Sequence, residues 1–82
     1  MAENAQTLEI DLNAAVKELR ISIEENRKID PVQVVREYAR IAPHHNLTLA
    51  QYKERVALRY CNGLREVEVN ALANGPLSFL FS

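Results

Sequence analysis

Thr48–Asn74, TLAQYKERVALRYCNGLREVEVNALAN, is the longest periodic stretch of the chain, and its reading decides the fold. Its start fits a capping box: the Thr48 hydroxyl can accept from the Gln51 backbone N–H while the Gln51 side chain reaches back. Leu47 and Tyr52 stand where a hydrophobic staple would sit. Asn74-Gly75-Pro76 marks the far end, because Gly takes the left-handed cap and Pro cannot continue the ladder. Between these ends Leu49, Tyr52, Val56, Tyr60, Gly63, Val67 and Ala71 recur at helical steps. Ala57 and Leu64 widen the stripe to the width of a core-facing surface. Gly63 costs about 1 kcal/mol against Ala inside a helix, but the phase survives it. The periodicity therefore predicts one helix over 48–74, bent at Asn62-Gly63. A competing α+β reading breaks the chain there. Glu66-Val67-Glu68-Val69 alternates like a strand, and 64–81 would close as a hairpin through Asn74-Gly75. No clean strand precedes residue 64, which favours the all-α reading.

A second line runs along the opposite side of this helix through Leu58, Cys61, Arg65, Val69 and Leu72, at the spacing of a helix–helix seam. A monomeric three-helix domain has little use for it. Either it is a surface for another chain, or Leu58 and Val69 are ordinary exposed apolar residues.

Upstream, Thr7 or Asn4 is placed to cap a first helix running to about Lys28, with Leu8, Leu12, Ala15, Val16, Leu19 and Ile23 on one side. Residues before it are polar and expected to fray. The short alternations at 8–12 and 19–23 are not strands, since no turn signal separates them. Ile10, Ala14 and Ile21 form a second apolar line on the far side. Asp30-Pro31 restarts the chain, with Asp as cap and Pro at the first helical position. The second helix spans 31–42. Val32, Val35, Tyr38 and Ala39 are expected to face inward, with Val34 and Ile41 fitting that face less cleanly. Arg36, Glu37 and Arg40 face water. Pro43 ends the helix, leaving Pro43-His44-His45-Asn46 as the main loop. The C-terminal tail, Pro76–Ser82, is apolar and uncharged. Phe79, Leu80 and Phe81 would make it a docking element for a groove, or a flap that closes its own core.

Eighty-two residues make one small domain, 1–82, and 48% hydrophobic with 26% charged residues is ordinary for a globular protein. No apolar run approaches the length of a membrane span. Met1-Ala2-Glu3-Asn4 does not resemble a signal peptide. The single cysteine, Cys61, suits a reducing compartment. Together these features place the chain in the cytoplasm. Charge is uneven. Residues 1–30 hold seven acidic against four basic side chains, residues 31–65 hold six basic against two acidic, and Glu66 and Glu68 bring the total to −1.

The chemistry-bearing residues do not assemble into a motif. Adjacent His44-His45 lack supporting ligands at metal spacing. Cys61 lies mid-helix, where a small buried hydrophobe is its ordinary role. Glu24-Glu25 and Glu66/Glu68 do not face one another on a helix. Gly63 and Gly75 are too far apart for a phosphate loop. The sequence therefore predicts no catalytic, metal or cofactor site, and not an enzyme. The pair 31–42 and 48–74 invites a helix-turn-helix comparison, with Arg36, Arg40, Lys53, Arg55 and Arg59 as nucleic-acid contacts. The connection is too long and the whole chain is not basic, so nucleic acid is the alternative partner. The reading that fits best is a small cytoplasmic protein–protein interaction module, a regulator acting as adaptor, inhibitor or assembly factor. It would form a homo-oligomer. The candidate interface is Ile10, Ala14, Ile21, Leu58, Cys61, Val69, Leu72, Phe79, Leu80 and Phe81.

Overall fold

The computed structural model describes residues 2–81, with side chains from residue 7 onward. The chain is all-helical, with no strand among the described residues. The elements are α1 (Ala2–Glu24), α2 (Pro31–His45), α3 (Leu49–Tyr60), α4 (Glu66–Ala73) and a single 3-10 turn at Ser78–Leu80. The all-α class holds; the expected three helices are four, and the hairpin at 64–81 does not form.

α1 is already helical at Ala2, so Asn4 and Thr7 lie inside it rather than capping it. It ends four residues before Lys28, at Glu24. Asn26 takes a left-handed φ of 57°. The Arg27 N–H then reaches back to the Ser22 carbonyl and the Asn26 N–H to that of Ile23, so two orphan carbonyls are satisfied in a Schellman motif. Asn performs here the role usually given to Gly, because its short polar side chain tolerates that region.

α2 begins as expected. The Asp30 side chain accepts from the Val32 N–H, and Pro31 occupies the first turn. It then runs through Pro43 to His45 and stops at Asn46, which is left-handed with φ 54°. A proline in the last turn removes one intrahelical hydrogen bond and leaves the earlier turns intact. The inward face also differs from expectation. Val34 and Ile41 are buried and Tyr38 is half-buried, whereas Val32, Val35 and Ala39 are exposed. Polar contacts select this rotation. The Tyr38 hydroxyl donates to the Leu47 carbonyl at 2.7 Å, and its ring tilts against that of Tyr52. His45, in phase with Val34, Tyr38 and Ile41, points its imidazole at α1.

α3 carries the capping box in full, with Gln51 N–H to Thr48 Oγ1 at 3.1 Å and Thr48 N–H to Gln51 Oε1 at 3.0 Å. The helix does not continue to Asn74. It stops at Tyr60, and Gly63 adopts φ +84°, a value that a helix cannot contain. Beyond this excursion, the Arg65 N–H is held by Glu68 Oε1 and α4 starts. Gly75 is not in the left-handed region; it is needed for space. A Cβ there would lie 2.9 Å from the Ala71 carbonyl oxygen.

α1 and α2 run antiparallel, joined at one end by the 25–30 connection and at the other by Asp11 and His45. α3 packs on both, and α4 packs on the C-terminal turn. The core comprises Leu12, Val16 and Leu19 of α1, Val34 and Ile41 of α2, Tyr52, Val56, Ala57 and Tyr60 of α3, and Leu77 and Leu80 of the tail. The tail thus folds back on its own domain. The Leu77 N–H donates to the Leu72 carbonyl at 2.9 Å, which turns the chain under α4 and sends Leu77 inward.

Candidate functional site

The candidate interface residues fall into three groups. Ile10 and Leu58 stand on α1 and α3 with 66% and 68% of their surfaces in solvent. Ala14 is exposed beside Ile10, and Phe81 is exposed at the end of the tail. Ile21, Cys61 and Val69 are half-buried; so are Leu72 and Phe79, which pack against the core. Leu80 is part of the core, 4% exposed, because the tail that carries it folds inward. Cys61 is the C-cap of α3, and burial pushes its thiol up from the ordinary range. The break at 61–65 separates Leu58 and Cys61 from Val69 and Leu72, so these four do not form one line on one helix.

Beside Leu58 lies a recess of about 310 Å³, lined by Leu12, Arg55, Leu58, Arg59 and Asn62. Arg59 closes one side of it. Its guanidinium pairs with Glu9 and donates to Asn13 Oδ1 at 2.9 Å, tying α3 to α1. Its Nε meets no acceptor among the described residues. One turn earlier, Arg55 is exposed and makes no ion pair among the described residues.

Of the other proposed nucleic-acid contacts, one is tied to a carboxylate. Arg40 pairs with Glu37 on its own helix, and that hydrogen bond holds its guanidinium still more firmly protonated. Arg36 is exposed on α2 and Lys53 is half-buried on α3. Half of the basic middle is thus matched by carboxylates, one of them on the acidic first helix.

The histidines are not in a loop. Both belong to the last turn of α2, and the His45 side chain is 2% exposed, with Nε2 3.1 Å from Asp11 Oδ2. His44 stays in solvent with its ring 6.4 Å from that of His45. Apolar counting misses His45, yet its spacing of four from Ile41 puts it on the buried face, and that spacing is the signal that could have found it. Among the described residues no group of three or more His, Cys, Asp or Glu is arranged to hold a metal.

A wider cleft of about 550 Å³ opens between α1 and α2, floored by Leu19, Val34, Tyr52 and Val56. Tyr52 has its phenol pushed up to about 12, mainly by burial and then by the nearby Glu37 carboxylate. Glu18, Asp30 and Glu37 on the rim are balanced by Arg27, Lys28 and Arg40, so the mouth has no dominant sign.

Three large exposed apolar side chains were not foreseen: Val32 and Val35, through the rotation of α2, and Val67, through the break before α4. No described helix is long and apolar enough to cross a membrane. No family model, no curated protein and no solved structure matches the chain.

Proposed function

We propose that this chain is a small protein–protein interaction module that self-associates through its helical surfaces, as an adaptor, inhibitor or assembly factor. One observation carries the reading. The tail completes the domain's own core, yet Ile10 and Leu58 remain about two-thirds exposed on two helices that pack together. Where such side chains join into a contiguous patch, they mark a surface that another protein covers. The lone, half-buried Cys61 suits a reducing compartment such as the cytoplasm. Pairing of Arg40 and Arg59 with carboxylates weighs against the alternative of a nucleic-acid-binding regulator.

Light scattering on the full chain tests this. Wild type is expected to exceed monomer mass at high micromolar concentration. Ile10→Glu and Leu58→Glu are expected to lower that mass while leaving the helical circular dichroism intact. A wild type that stays monomeric throughout overturns self-association. Binding of duplex DNA or RNA that weakens steeply with salt would favour the alternative.

A further inference from the structure

The outward face of α4 is complementary to the recess beside Leu58, and we propose that the two meet reciprocally between two copies of this chain. This rests on the self-association reading and names the surface. α4 turns Glu66, Val67, Asn70 and Ala71 to solvent, at the spacing of one helix face. Val67 is as exposed as Leu58, 68% in each case. Glu68 is engaged at the start of its own helix, accepting from the Arg65 N–H with the Arg65 guanidinium 3.8 Å away. Glu66 is left without an ion pair among the described residues.

The recess offers the opposite set. Arg55 is an unpaired cation at its edge, Leu58 is an uncovered apolar side chain, and Asn62 is a polar group that can meet Asn70. Arg59 in the recess wall is already held by Glu9 and Asn13. A copy's own α4 does not fill its own recess, since α4 packs on the C-terminal turn instead. Yet the two halves are close along the chain, with Asn62 in the recess wall four residues before Glu66. A two-fold axis near residues 62–64 would place each α4 on the other copy's recess, so the contact is made twice and closes as a dimer. Glu66 would then meet Arg55, and Val67 would cover Leu58. Each lone charge gains a partner of opposite sign, which fixes register and excludes a slipped pairing.

The test is a charge reversal and its repair, read by sedimentation on the full chain. Arg55→Glu and Glu66→Arg are each expected to raise the dimer dissociation constant about tenfold or more, because each breaks the contact at two places. The double variant Arg55→Glu/Glu66→Arg is expected to recover most of that loss, with circular dichroism unchanged in all three. Singles that dimerise like wild type, or a double that is no better than either single, overturn this contact while leaving self-association standing. A wild-type chain that is monomeric at every concentration overturns both.

Discussion

α3 and α4 come from one periodic stretch, and the more apolar of the two is the one that stays at the surface. α3 puts Tyr52, Val56, Ala57 and Tyr60 into the core, whereas α4 buries none of its residues. The difference lies in arrangement. In α3 Tyr52, Val56, Ala57 and Tyr60 share one arc, and Leu58 lies with the charges Glu54 and Arg55 on another. In α4 Val67, Val69, Ala71 and Leu72 are spread around two short turns, so no rotation buries them together. Apolar content measures what a helix could bury, and phase decides what it does bury.

The sharpest way to break this comparison is to place the same charge in both helices. Val56 is 1% exposed and Val67 is 68% exposed. Val56→Asp buries an unpaired carboxylate, costing several kcal/mol from a total of about 5–15. The variant is expected to lose its helical circular dichroism at room temperature. At concentrations where the chain is monomeric, Val67→Asp should melt within about 0.5 kcal/mol of wild type, as surface changes usually do. Equal loss in both would mean that α4 is packed on a face the structure shows open.

The tail extends the contrast to a segment that has little regular structure and yet buries both of its leucines. Leu77 and Leu80 are 0% and 4% exposed, while their neighbour Phe81 is exposed. Leu80→Ala is expected to cost about 2–5 kcal/mol, the range for a buried leucine. Phe81→Ala should cost less than about 1 kcal/mol. Because the tail closes its own domain, the Leu80→Ala loss should be equal in urea melts at low and at high protein concentration. A loss that appears only in the associated state would return Leu80 to the interface.

What was legible in the sequence was what local chemistry determines. The Thr48/Gln51 box, the Asp30-Pro31 start and the inward stripe of α1 follow from the side chains that make them, and all are present. What was not legible depends on contacts distant in sequence. α2 has apolar residues on two faces, and the choice between them rests on the Tyr38 hydroxyl reaching Leu47 and on His45 reaching Asp11. Hydrophobic periodicity counts neither. The exposure of Ile10 and Leu58 was legible, since both lie opposite a clear core stripe. Leu80 was misread, because a charge-free tail looks the same whether its groove belongs to its own domain or to another.

The smallest expected effect tests the boundary between the two helices by its sign. Gly63 sits in the excursion that separates α3 from α4, with φ +84° and no atom within 4 Å of where a Cβ would be. Substitution therefore meets no steric neighbour, and only the backbone responds. If residues 48–74 formed one continuous helix, Gly63→Ala would remove a flexible residue from its interior and stabilise the protein by about 1 kcal/mol. With Gly63 held in the left-handed region, Ala is strained there and should destabilise by about 1–2 kcal/mol. The two cases differ in sign, so a urea midpoint measured on a single variant separates them. A lower midpoint with the helical signal unchanged is expected. A higher midpoint would mean that α3 and α4 are one helix in solution, and Val67 would then return to the stripe that holds Tyr52 and Val56.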